Sequence, residues 1–200
     1  VEVDLCGHAT LASAAVVMER LEPGRTSVVF HSRSGPLTVT RSGAAYVMNF
    51  PSRRPEPTVA PAGLAAALKV TPIEVLADSY NYLAVLEHPD LVRRLMPDLD
   101  SIARMDRSGV IVTAPGDGRF DCVSRSFAPA KGIPEDPVTG GAHCALTPYW
   151  SERLGKTELR AYQASPRGGE MICRLSQAGD RVELEGHCVF YLEGEAEIDS

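Results

Sequence analysis

Glu135-Asp136-Pro137-Val138-Thr139-Gly140-Gly141-Ala142-His143-Cys144-Ala145 has a counterpart at the other end of the chain, Glu2-Val3-Asp4-Leu5-Cys6-Gly7-His8-Ala9-Thr10-Leu11-Ala12. Laid one above the other, the two copies match at the glutamate, at an apolar residue (Leu5, Val138), at a glycine (Gly7, Gly140) and at both alanines. In each a turn-forming glycine leads into small and apolar residues of helical composition, so the pair predicts two equivalent helix N-termini. The N–H groups of a first helical turn have no intrahelical partner, and a helix start is therefore a ready anion site. Two of them amount to a duplicated device for holding a carboxylate.

The correspondence extends past the motif. Gly24-Arg25-Thr26, a strand-like Ser27 to His31 and Ser32-Arg33-Ser34-Gly35 follow the first copy; Gly155-Lys156-Thr157, Leu159 to Tyr162 and Ser165-Pro166-Arg167-Gly168-Gly169 follow the second. Repeated local order of this kind is the signature of internal duplication. The copies are unequal. Residues 56 to 134 precede the second motif and almost nothing precedes the first, so the chain reads as N-terminally shortened, with an incomplete first domain over 1–55 and a fuller second one over 56–200. The Pro-rich, charged Phe50 to Pro57 is the linker candidate.

Helices are expected at His8 to Leu21, Pro61 to Lys69, Pro89 to Leu95, Asp98 to Met105 and Gly141 to Leu154. Strands are expected at Val3 to Leu5, 26–31, 36–41, 44–50, Ile73 to Ala77, Tyr82 to Glu87, Val110 to Thr113, Asp121 to Phe127, 159–163, 170–175, 181–185 and 188–193. The class is α+β, each domain wrapping a curved, mostly antiparallel sheet around a central helix.

Composition narrows the partner. Two hundred residues, 44% hydrophobic, can build a real core, and the net charge of −6 disfavours nucleic acid and anionic membrane surfaces. A small molecule is the better expectation, in a cytoplasmic setting. The five cysteines are odd in number and lack paired Cys-x-x-Cys spacing, which suggests neither a disulfide framework nor a zinc site. No apolar run reaches the roughly 20 residues that span a bilayer. Gly-rich phosphate loops, dinucleotide fingerprints and the Gly-x-Ser-x-Gly elbow are missing as well.

Three stretches together resemble the phenazine-biosynthesis PhzF family of isomerases: Asp4 to Ala12, Arg125-Ser126-Phe127-Ala128-Pro129 with Gly132 to Gly140, and Gln163 to Gly169. They fall in the family's order over nearly the whole chain. The resemblance implies the diaminopimelate epimerase fold, with the active site in the cleft between two similar domains, a homodimer, and proton transfer on a small carboxylate-bearing metabolite without metal or organic cofactor. It makes His8 and Asp136 the catalytic candidates lining the cleft. Gly141 stands where the family has a serine, which removes a hydroxyl donor. The family's proton-shuttling glutamate belongs to a segment that would lie upstream of Val1.

The residue types fit that chemistry. Moving a proton between carbons beside a carboxylate needs a base and fixed donors for the developing charge. Gly7, Gly140 and Gly141 offer backbone donors, with Cys6 and Thr139 flanking them. Arg167, in a Pro-Gly turn, offers a guanidinium fork, although the same stretch also reads as an ordinary hairpin turn. Asp136 has an alternative use as a helix N-cap, and His8 as a turn cap. The register sets Thr139 against Cys6, so the paired thiols of a two-base racemase are missing. Two further functions are weighed: a binder of small acids that keeps the cleft without the base, and an enzyme using Cys6 as nucleophile.

Overall fold

The computed structural model describes residues 6–33 and 35–194, so the strand expected at Val3 to Leu5 lies outside it. Small residues start α1 (Gly7–Val16), which widens into a π-helical turn over Val17–Leu21 before Pro23 ends it. A meander follows: β1 (Ser27–Ser32), β2 (Gly35–Ser42) and β3 (Ala45–Pro51). Past the Pro-rich interval come β4 (Glu56–Pro57), α2 (Leu64–Leu68), β5 (Glu74–Ala77), β6 (Asn81–Val85), α3 (Pro89–Arg93) and α4 (Leu99–Ala103). Next are β7 (Gly109–Pro115), β8 (Cys122–Ala128), a 3-10 turn at Pro129–Lys131 and β9 (Ile133–Asp136). The chain then forms α5 (Gly140–Leu154), β10 (Glu158–Gln163), β11 (Gly169–Leu175) and β12 (Arg181–Gly186).

These elements make a mixed α+β fold. Among the described residues the strands join one sheet in the order β1-β2-β3-β12-β11-β10-β8-β7-β6-β5-β4, with β9 paired to β8. The β3–β12 pairing ties the early meander to the last hairpin. Only β6–β7 and β8–β10 run parallel among these pairings.

Alternation along the strands builds two cores. Leu83 and Val85 of β6, Ile111 of β7 and Cys122 of β8 pack toward α5 with Leu146 and Trp150, whereas Tyr82, Ala84, Val110, Val112, Val123 and Phe127 pack toward α2, α3 and α4. Burial of both faces explains why β7 carries the apolar run Val110-Ile111-Val112 rather than an alternation. Helix α1 joins the first core through Ala14, Ala15 and Met18.

Pro148 lies inside α5 and has no N–H to give the carbonyl of Cys144 one turn earlier. That carbonyl instead accepts the backbone N–H of Arg53 at 2.9 Å, and Arg54 pairs with Glu152 further along the helix. The Pro-rich interval is thereby laid along α5.

The strand expected at 188–193 is absent. Both edges of β12 are already taken by β11 and β3, and Val189, Tyr191 and Leu192 stand 84%, 98% and 85% exposed. Strand propensity without a neighbour to pair with does not make a strand. Cys188, assigned to that strand, therefore lies in irregular chain.

Candidate active site

The two motifs meet head to head. Gly7 and Gly140 are both the first helical residues of their helices, with Cys6 and Thr139 as the N-caps. A Cβ on Gly7 would sit 3.4 Å from the Cα of Gly140, and one on Gly140 would sit 3.5 Å from the Cα of Gly7. Larger residues at both positions would push the helix starts apart. The correspondence persists one turn on, where twin residues brace each N-cap carbonyl. Thr10 Oγ1 donates to Cys6 O at 2.8 Å, and His143 Nδ1 lies 2.8 Å from Thr139 O.

Neither N-cap side chain accepts a first-turn N–H, and neither first turn carries an acidic residue. Each helix start thus keeps its unbalanced partial charge, roughly half a positive unit. They face a cavity of about 230 Å³ lined by Cys6, Gly7 and His8 from one motif and by Asp136, Thr139, Gly140 and Gly141 from the other. His8 Nε2 is 3.9 Å from Asp136 Oδ1, with side chains 51% and 21% exposed. That is too long for a hydrogen bond, yet a ligand heteroatom about 2.8 Å from each would close the triangle. The cap reading of Asp136 fails, since Thr139 is the N-cap of α5; His8 is one residue inside α1 and caps nothing.

Asp136 is held from behind. Its neighbour Glu135 points the opposite way and takes a two-point ion pair from Arg125, with Nε–Oε1 at 2.7 Å and Nη2–Oε2 at 2.8 Å. Arg125 is itself buried and also donates to the carbonyls of Val92 and Leu95. Such a planar fork fixes direction as well as charge. The loop after Asp136 is clamped by Gln163, which is fully buried. Its Oε1 accepts from Thr139 N at 2.8 Å, and its Nε2 donates to Asp136 O at 2.6 Å and reaches Thr139 Oγ1 at 3.1 Å. Ser165 Oγ adds a bond to Pro137 O at 2.7 Å. In the sequence Gln163 stands out only as the head of the Pro-Gly hairpin stretch, where its amide, like the Ser165 hydroxyl, has both a donor and an acceptor to spend on a loop.

His143 is fully buried, and burial pushes its imidazole down to about 4, with the Thr139 carbonyl and Asp136 opposing that shift. It is a structural base rather than a ligand. Cys144 is likewise buried, and its thiol is pushed up to about 12 by burial. Cys6 is exposed at the cavity edge. Arg167 is exposed in the β10–β11 hairpin, outside the residues lining this cavity. A second cavity of about 330 Å³ flanks the Gly7–Gly140 contact and is mainly apolar, with Leu11, Met48, Met171 and Leu184. His8 borders both cavities, and Asp136 only the first. Among the described residues no group of three or more His, Cys, Asp or Glu side chains is disposed to hold a metal ion, and no helix is long and apolar enough to cross a membrane.

Residues 1–194 match the family model described as PhzC-PhzF, phenazine biosynthesis-like protein. An uncharacterized isomerase of Pseudomonas aeruginosa is 47% identical over 194 residues, covering 97% of this chain and 73% of that protein. The crystal structure of a PhzF-family phenazine biosynthesis protein from Enterococcus faecalis superposes with a TM-score of 0.91 at 40% identity, over 98% of this chain and 75% of that one. At 20% identity, a predicted epimerase of Pseudomonas aeruginosa has the same fold, with a TM-score of 0.65 over 93% of this chain and 72% of its own.

Proposed function

Because the chain belongs to the phenazine biosynthesis-like PhzC-PhzF family, we propose that it is an isomerase that moves a proton within a small carboxylate-bearing metabolite. The relative from Pseudomonas aeruginosa carries the name isomerase, which supports the reaction class. The observation carrying the finer reading is the approach of His8 Nε2 to Asp136 Oδ1, 3.9 Å apart, beside two uncapped helix starts. A substrate carboxylate accepts the N–H groups at Gly7 and at Gly140 and Gly141. Charge that develops next to that carboxylate is then stabilised by dipoles already in place, without reorganisation. His8 and Asp136 engage the polar substituent of the reacting carbon and relay its proton, while Cys6 and Thr139 shape the rim. General acid–base help of this kind is worth about 10² to 10⁴ in rate.

The test is proton exchange. Unsaturated, 2-amino and 3-hydroxy carboxylic acids are incubated with the protein in deuterated water and their C–H signals followed by NMR. Loss of one C–H signal is expected, slowed about 10²-fold in both Asp136→Asn and His8→Gln. Calorimetry on the same acids supplies the second readout. Binding without exchange identifies a non-catalytic acid-binding protein, and binding unchanged by Asp136→Ala refutes the assignment of this cavity.

A further inference from the structure

One part of the cavity wall carries positive charge. Arg53, Tyr80 and Lys131 line the same cavity. The guanidinium carbon of Arg53 lies 4.3 Å from the centre of the Tyr80 ring, and Lys131 Nζ lies 5.8 Å from it. Three separate segments bring these groups together. Arg53 is held by its N–H on the Cys144 carbonyl that Pro148 leaves free. Tyr80 sits in the β5–β6 turn, where Asp78 Oδ1 accepts the N–H groups of Tyr80 and Asn81 at 2.7 and 2.6 Å. Lys131 closes the 3-10 turn before β9.

Two cations gathered on one ring repel each other, and the ring face offsets only part of that. The ordinary remedy is a carboxylate neighbour. Among the described residues neither Arg53 nor Lys131 has one within 4 Å, and Asp136, the acid in this cavity, has only His8 at that range. The two helix starts add their partial positive charge to the same cavity. Positive groups therefore line the cavity at two places, with the His8–Asp136 pair also on its wall.

We infer that Arg53 and Lys131, seated on Tyr80, form a second anion subsite, so that the substrate carries two anionic groups: a carboxylate on the helix starts and a further carboxylate or phosphate on this cationic wall. The inference rests on the proposed role of the helix starts. A guanidinium fork beside an ammonium suits either anion. Recognition at both ends also orients the reacting carbon, which a single carboxylate contact leaves free to turn.

The probes are butyrate, with one charge, glutarate, with two carboxylates, and phosphoglycolate, with a carboxylate and a phosphate. Affinities are measured by NMR titration at low salt on the unmodified chain, on Lys131→Met and on Arg53→Met. Glutarate or phosphoglycolate is expected to bind at least about tenfold more tightly than butyrate, the worth of one charge-assisted contact. Both substitutions should erase that advantage and leave butyrate unchanged, and the tighter of the two dianions identifies the second group. Equal affinity for butyrate and both dianions overturns the subsite, as does an advantage that survives both substitutions. Amide shifts keep the two readings apart: a dianion that moves the Gly7 and Gly140 signals supports the carboxylate site, and one that moves only residues near Tyr80 overturns that site while keeping the cationic one. Arg53 is partly exposed and Lys131 exposed, so each variant should fold, and Lys131→Glu gives a charge-reversal check with the same expected loss.

Discussion

Acid should loosen this protein through His143 before its carboxylates titrate. The ring is fully buried, its Nδ1 faces the Thr139 carbonyl at 2.8 Å and so carries the hydrogen, and Nε2 has no partner. Protonating Nε2 would bury a charged N–H without an acceptor, and burial accordingly lowers the imidazole from 6.5 to about 4. The sign follows from linkage. Between those two values the unfolded chain binds a proton that the folded chain refuses, so stability falls as pH falls from about 7 toward 4 and levels off below. The full depression corresponds to about 3 kcal/mol, of which about 2 kcal/mol is expressed between pH 7 and pH 5. Urea unfolding at several pH values across that window measures it. In His143→Asn, whose amide can still donate to the Thr139 carbonyl without titrating, this component should vanish. The variant's absolute stability is irrelevant, because the difference in slope isolates His143 from every other histidine. Parallel curves for the two proteins would refute the burial argument.

Substitutions at three positions probe the loop that carries Asp136. Gly169→Ala would drive a Cβ to 2.2 Å from Val138 Cγ2, so it should cost about 1 to 3 kcal/mol in urea unfolding and weaken acid binding. Val138→Ala in the same chain, which removes the clashing methyl groups, should recover most of both. Gln163→Leu strands the Thr139 N–H and the Asp136 carbonyl, with an expected loss of about 2 to 4 kcal/mol. Its proton-exchange rate should fall further than that of a surface variant of equal stability, and an unchanged rate would deny Gln163 its positioning role.

The duplicated motif was legible because both copies must solve one steric problem. Glycine lets the two helix starts abut closely, so Gly7 and Gly140 could be paired by register alone. The two central helices and most strands up to β12 follow from the same pattern, whereas β4 and β9 were not expected and the approach of His8 to Asp136 was implied by the family resemblance. The groups behind the site left weaker traces. Arg53, Tyr80 and Lys131 are far apart in sequence and become neighbours only through the packing of three loops. The apolar, strand-forming run at 188–193 was misleading because propensity is local, whereas a strand needs a free edge. One sequence feature does point to part of the cationic wall: Pro148 inside α5 frees a carbonyl four residues back, and a freed buried carbonyl needs a donor from elsewhere.

The symmetry of the two motifs also explains why they are not identical. Equivalent backbones supply equivalent N–H groups, which is what binding a symmetric carboxylate asks for. Proton transfer asks for the opposite, a donor and an acceptor of different character on the same substrate. The copies differ where side chains reach the cavity: His8 against Gly141, and Cys6 against Thr139. On the proposed function, a substrate gripped by the common backbone would present only one edge to His8 and Asp136. Restoring symmetry should blunt catalysis more than binding: with His8→Gly, which makes the first motif match Gly141, carboxylate affinity should fall less than about threefold while exchange drops about 10²-fold. Equal losses in both would mean that His8 holds the acid rather than moving its proton.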